Sequence, residues 1–247
     1  MPPPPKWHLL ISIIAYKKQI DYEVTDSIEA ALPGLAMMGW RAQRFSGGGS
    51  ADLAGCRNTH FAVAHAGPFT HMLFIDSDVW WEPGSIERLV SHDVDLILGA
   101  YPRRKAGAGF AIRTLPGPQL LVNPKTGAYD PQGILEIAGG PSGMMLISRA
   151  CMEKMVTSYS DLWYADPEVS TGKSYNLFEF AVRDHERMGE DLHFCRMFRA
   201  VGGRVWTDPH LKLHHNGDTT FSGCFADHLR QMGRLVDPGK VQKVPVS

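Results

Sequence analysis

One segment constrains this fold more than any other. Leu73-Phe74-Ile75-Asp76-Ser77-Asp78-Val79 is an apolar run that ends in two carboxylates separated by one residue. Its shortness and its polar bounds predict a buried parallel strand. A strand sends residues i and i+2 to the same side, so Asp76 and Asp78 are expected to point the same way at its C-terminal end. Ligands of open α/β sheets bind just beyond the C-terminal strand ends. Two carboxylates held there repel each other unless a cation sits between them. Hard oxygen donors suit Mg²⁺ or Mn²⁺, and such an ion can in turn hold a diphosphate. Asp-x-Asp also occurs in turns and helix caps, so the surrounding elements must decide between these readings.

Those elements alternate. Residues 9–15 are apolar and β-rich. Residues 22–38 carry helical spacing, with Val24, Ile28, Ala31, Leu32 and Leu35 on one face. Pro33 and Gly34 are expected to end or kink that helix, and Gly39 to stop it. Residues 40–45 read as a second strand, followed by a turn at Gly47-Gly48-Gly49. Ser50 or Asp52 would cap a helix running to His65. The carboxylate strand comes next, then a helix opened by Pro83-Gly84-Ser85, then a strand over 94–100. The β-α-β-α-β-α-β order predicts a Rossmann-like central sheet, mostly parallel, with helices on both faces.

Beyond residue 101 the texture changes. Short strands at 119–123 and 134–138 suggest a small antiparallel elaboration, and 144–148 resembles a core strand feeding a helix over 149–158. Residues 159–176 show no periodicity and read as a long loop, which in compact domains often binds ligand. A helix over 190–201 and short strands at 204–207 and 210–214 follow. The expected organisation is a proline-rich leader (1–8), one domain (9–237) and a loose tail (238–247). Within the domain, 9–101 and 102–237 would form two halves.

Composition narrows the class. The chain has 247 residues, 44% hydrophobic and 21% charged, with a formal net charge of -1. That is ordinary for a globular protein and implies no general attraction to nucleic acid or anionic membrane. Arg103-Arg104-Lys105 is the one compact basic run, and such runs are most often solvated loops. Four widely spaced cysteines form no C-x-x-C pair, which suggests reduced thiols rather than zinc or redox chemistry. The first residues lack the pattern of a secretory signal, and 9–15 is too short to span a bilayer. The expectation is a cytoplasmic protein without a transmembrane segment.

Four features recur in a telling order: Arg57-Asn58, then Asp76-Ser77-Asp78, then Gly139-Gly140-Pro141-Ser142-Gly143, then Gly189-Glu190-Asp191 opening a helix. Leu213-His214-His215-Asn216-Gly217 follows. In this ordered set the chain resembles the GT-A glycosyltransferases, in particular the family 2-like group, over roughly residues 9–223. The resemblance implies transfer of a sugar from a nucleotide-sugar donor to an acceptor hydroxyl. Asp76 and Asp78 would hold Mn²⁺ or Mg²⁺ on the donor diphosphate, with Asp78 the firmer ligand and His215 the third. His214 is its rival for that role. The metal would act as a Lewis acid on the leaving diphosphate.

By the same resemblance, Asp191 would be the general base and Glu190 would orient a sugar, in an inverting reaction. At a helix start both carboxylates also have a plain capping role. Arg57 and Ser77 would meet the donor, Gly140 and Ser142 would let backbone approach its sugar, and Tyr16 would stack on the base. Trp80 and Trp81 would shape the sugar or acceptor pocket. Uridine diphosphate sugars are the family's usual donors. The acidic residue that often reads the base is missing at Phe45-Ser46-Gly47. The acceptor would be a glycan, a small molecule or a modified DNA base.

Other readings remain. A haloacid-dehalogenase-like phosphatase also places D-x-D after an apolar strand, although usually the first strand. A Rossmann dehydrogenase would need G-x-G-x-x-G, and Asp52 stands where its last glycine should be. A non-catalytic nucleotide-sugar-binding module would keep the metal site without turnover.

Overall fold

The apolar run 9–15 forms the strand second from one edge of the main sheet in a mixed α/β fold. The computed structural model describes residues 6–15, 19–48, 52–183 and 185–237. In chain order, β1 (Trp7–Ala15), α1 (Tyr22–Met37), β2 (Trp40–Gly48) and α2 (Leu53–Ala66) lead to β3 (His71–Asp76). A turn at Ser77-Asp78 passes to β4 (Val79–Trp81), α3 (Ser85–Ser91) and β5 (Leu96–Gly99). Then come β6 (Arg113–Thr114), β7 (Gln119–Leu120), β8 (Leu135–Gly139), β9 (Met144–Ser148) and α4 (Arg149–Ser158). The hairpins β10 (Trp163–Ala165) with β11 (Lys173–Tyr175) and β12 (Ala181–Arg183) with β13 (Glu186–Met188) follow. The chain continues as α5 (Glu190–Ala200), β14 (Val205–Asp208), β15 (Lys212–Asn216), β16 (Thr220–Cys224), α6 (Phe225–Gln231) and β17 (Leu235–Val236).

The main sheet has the order β2-β1-β3-β9-β5-β14-β8-β6. It is not mostly parallel, as the alternating pattern led us to expect. The pairs β1–β2, β1–β3 and β14–β5 are parallel, while β3–β9, β5–β9, β14–β8 and β6–β8 are antiparallel. The cause is β9, Met-Met-Leu-Ile-Ser, which inserts between β3 and β5 and runs against both. All five of its residues are buried, so it fits only an interior position with both faces covered. Strands from both sides of residue 101 therefore interleave in one sheet.

Alternation along β3 divides the core. Leu73 and Ile75 face α1 and α3, among Val24, Ile28, Leu35, Ile86 and Leu89. Met72 and Phe74 face α2 and α5, among Phe61, Phe194 and Phe198. Each such side chain, fully buried, contributes roughly 1.5–3 kcal/mol. Phe178 stacks on Phe194 with ring centroids 4.4 Å apart, which ties the segment before β12 to α5.

Three local expectations change. Pro33 does not break α1, because it lies exposed on the solvent side while Ala31 and Leu35 anchor the helix from the core. Gly47 and Gly48 extend β2, paired with Ile14 and Ala15, instead of forming a turn. The supposed loop 159–176 contains the β10–β11 hairpin, where Asp166 caps the turn by accepting from Glu168 N at 3.0 Å. Asp52 is the α2 cap and accepts from Gly55 N at 2.9 Å. No helix among the described residues is long and apolar enough to cross a membrane. The proline leader up to Pro5, the tail from Pro238, and Tyr16 lie outside the described residues.

Candidate active site

At the C-terminal end of β3 the chain leaves the main sheet and enters a second one, β16-β15-β4. The junction is the Ser77-Asp78 turn. Asp76 is the last residue of β3, while Asp78 belongs to the turn. Strand alternation therefore does not align the two carboxylates. The turn does, and both still line one cleft of about 410 Å³, with Ile14, Gln19, Asp21, Leu53, Arg57, Ser77 and Arg104. Backbone bonds hold the turn in place: Ser77 N donates to Ile14 O at 3.2 Å, and Asp21 N donates to Ser77 O at 2.9 Å.

The two aspartates sit in different surroundings. Asp76 Oδ1 accepts from Arg57 Nη2 at 2.9 Å, and its Oδ2 accepts from the Tyr101 hydroxyl at 3.4 Å. Arg57 also reaches Glu190 Oε1 from its Nε at 3.4 Å and lies over the Phe74 ring. It is only 4% exposed. Burial works against its charge, but Asp76, Glu190 and Asp191 outweigh burial and raise its pKa. Arg57, expected to meet the donor, is thus also a permanently charged strut between two carboxylates inside the site. Its partner Asn58 pins the chain before β12, accepting from Leu177 N and Phe178 N at 3.0 and 2.8 Å.

Asp78 meets Arg104 and His215 instead. Arg104 Nη2 pairs with Asp78 Oδ2, and His215 Nε2 lies 3.8 Å from Asp78 Oδ1. Strand β15 pairs with β4 so that His215 stands opposite Val79, beside Asp78. Of the two adjacent histidines, His215 is the one beside Asp78. His214 points the other way, stacked on Trp80 at 3.7 Å and bonded to Ser222 and Glu82. Trp81 is buried in the core, so neither tryptophan lines the cleft.

His215 Nδ1–H donates to Pro102 O at 2.9 Å, which leaves its Nε2 lone pair as an acceptor. Burial lowers the His215 pKa, so the ring is neutral at neutral pH. Asp78 and His215 together suit a divalent cation that completes its shell with phosphate oxygens and water, as Mg²⁺ does. Asp76, the other expected ligand, has its oxygens turned to Arg57 and Tyr101. Among the described residues no group of three His, Cys, Asp or Glu converges as a metal cage.

At the far side α5 begins. Glu190 is buried, and Asp191 Oδ1 accepts from Leu192 N at 2.7 Å. Burial, and then the neighbouring Glu190, push the Asp191 pKa up to about 6. A carboxylate of that pKa is a competent base near neutral pH.

Of the glycine-rich segment, Gly140 does not face the cleft. A Cβ there would lie 2.6 Å from Ile112 Cδ1, so it is small for packing. Gly143 is the glycine the site needs, because a Cβ would lie 2.7 Å from Asp76 Oδ2. Ser142 Oγ and Arg57 Nη1 are buried without a hydrogen-bond partner among the described residues. Such orphaned groups in a folded protein call for an explanation, and a ligand oxygen is one.

Sequence reasoning missed Tyr101, Asp21 and the role of Arg104. Tyr101 and Arg104 follow β5 directly, so the strand-end rule applied to β3 would have found them too. Asp21 shows no such signal. It is brought in by its backbone bond to Ser77 and by Asn216, whose Nδ2 donates to Asp21 Oδ2 at 2.8 Å.

No protein-family model matches the chain, and no curated protein matches its sequence. Among solved structures, A197 from STIV is similar with a TM-score of 0.49 at 15% identity, over 85% of this chain and 86% of that one. TarS 1-349 of S. aureus gives a TM-score of 0.40 at 12% identity, over 81% of this chain and 57% of that one. The same TarS segment in complex with UDP-GlcNAc gives 0.42 at 12% identity, over 81% and 55%. This chain therefore spans little more than half of the TarS chains.

Proposed function

We propose that the protein is a GT-A-like glycosyltransferase that moves a sugar from a nucleotide-sugar donor, a UDP-sugar by preference, to an acceptor hydroxyl. One observation carries the reading. Arg57 bonds both Asp76 and Glu190, so the D-x-D turn and the acidic start of α5 belong to a single site. A phosphatase needs only the first of these, and a passive binding module would not require a base at Asp191 beside them.

The donor diphosphate lies in the cleft beside Asp78, Ser77 and Arg104. Asp78 and His215 would hold a divalent cation there, which when bound offsets the charge gathering on the leaving diphosphate. Arg57 stays charged and holds Asp76 and Glu190 in place. Ser142 Oγ and Arg57 Nη1 offer donors to oxygens of the donor substrate. Asp191 takes the proton of the acceptor hydroxyl as its oxygen attacks the anomeric carbon and the bond from that carbon to the phosphate oxygen breaks. Attack from the face opposite the leaving group inverts the anomeric centre.

The test is a thermal-shift series of nucleotide sugars with and without Mn²⁺, followed by release of nucleoside diphosphate. A true donor at about 100 times its Kd stabilises by roughly 2.7 kcal/mol, a shift of about 5–10 °C. Turnover should rise through pH 6 as Asp191 ionises. Asp191→Asn should lower it about 10²–10⁴-fold while leaving donor affinity in place. Neither stabilisation nor turnover with any nucleotide sugar would overturn the reading.

A further inference from the structure

Arg104 does not behave as a solvated loop residue. Its loop is closed at the base, where Pro102 and Phe110 form a bridge and Arg103 N donates to Gly109 O at 2.9 Å. Phe110 packs on Phe225, and a Cβ on Gly223 would lie 2.8 Å from Phe110 Cζ and 3.1 Å from Pro102 Cγ, so the loop is seated on β16. From this platform the Arg104 guanidinium crosses to the cleft. Nη2 pairs with Asp78 Oδ2, and Nε donates to His215 Nε2 at 2.7 Å. Gly217 makes room for the stem, since a Cβ there would lie 3.3 Å from Arg104 Cδ. The guanidinium therefore engages the same carboxylate and the same ring nitrogen that suit a divalent cation. The Arg104 side chain is 48% exposed, so it can withdraw without opening the core.

We propose that Arg104 is a tethered cation that occupies Asp78 and His215 until a diphosphate arrives, so that metal and nucleotide bind together rather than separately. The inference rests on the glycosyltransferase reading above. The single Nε2 lone pair of His215 cannot serve a guanidinium N–H and a divalent ion at once, and Arg104 also covers Asp78 Oδ2. A diphosphate offers the planar Arg104 fork a bidentate pair of oxygens, and transfer of Arg104 to it frees both ligands. Metal and diphosphate then bind with positive coupling, and the coupling is reciprocal.

Binding of Mn²⁺ to the full chain, followed by the paramagnetic resonance signal of free Mn²⁺, tests this without any activity readout. The native chain, Arg104→Ala and Arg104→Lys are titrated with Mn²⁺ alone and with UDP. In the native chain UDP should tighten Mn²⁺ by about tenfold or more. Arg104→Ala should bind Mn²⁺ alone about tenfold more tightly than the native chain, with a smaller further gain from UDP. Arg104→Lys, which lacks the planar fork, should fall between them.

If the native chain binds Mn²⁺ with UDP but Arg104→Ala binds Mn²⁺ alone no better, the tethered cation is overturned and the glycosyltransferase reading stands. If the native chain binds UDP equally with and without Mn²⁺ and Arg104→Ala loses UDP, Arg104 is a permanent replacement for the metal, and competition is overturned. If neither form binds Mn²⁺ or UDP, both readings fall.

Discussion

Asp76 and Asp78 are two residues apart, share a cleft and are about equally exposed, yet their arginine partners differ. The Asp76 side is closed: Arg57 is 4% exposed and bonded to two carboxylates from different parts of the chain. The Asp78 side is open: its partner Arg104 has a half-exposed side chain, and His215 holds a lone pair toward it. A buried ion pair cannot be broken without leaving a stranded charge, whereas an exposed one exchanges partners at little loss. Asp76 is thus held by a buried arginine and Asp78 by an accessible one.

The contrast can be broken most severely at Arg57. Arg57→Ala strands Asp76 and Glu190, and a loss of about 3–5 kcal/mol is expected in urea unfolding. A loss below 1 kcal/mol would mean that the closed side is not braced as described.

Next in size is a pH effect at the same side. The Asp191 pKa is raised to about 6 in the fold from an ordinary 3.8. The folded state then holds a proton that the unfolded chain releases, so this group's contribution to stability falls as pH rises from about 4 to 6. Asp191→Asn removes the effect. The variant should gain on the native chain across that window by an amount on the order of 1–3 kcal/mol, flat above it. A constant difference from pH 4 to 7 in thermal unfolding would contradict the assignment.

The open side should respond far less. Arg104→Ala is expected to change stability by less than about 1 kcal/mol, because the Arg104 side chain itself is about half exposed. Tyr101→Phe should have an effect of similar size. It removes one long hydrogen bond to Asp76, and its phenol is kept neutral by burial and then by the Asp76 charge. A loss of roughly 0.5–1 kcal/mol is expected, with Mn²⁺ binding unaltered.

Much of the fold was legible because each segment carries its own record of what it buries. The apolar runs at β1, β3, β5 and β9 declared themselves as interior strands, and the spacing of Val24, Ile28, Ala31 and Leu35 declared α1. Asp52 and the Glu190-Asp191 pair marked their helix starts through short-range chemistry. The direction of β9 was not legible, since Met-Met-Leu-Ile-Ser is equally apolar read either way. Nor was Gly140 distinguishable from Gly143, as the need for a missing Cβ is set by Ile112 in one case and Asp76 in the other.

The sequence by itself determined where carboxylates would stand at strand and helix ends, because local pattern dictates local geometry. Only the tertiary structure decided who meets them. Arg57 finds Asp76 across 19 residues and Glu190 across 133, and Arg104 finds His215 across 111. Those partners follow from the insertion of β9 and the pairing of β15 with β4, which satisfy burial and charge over the whole chain at once. Such a solution is global, so no window of residues contains it.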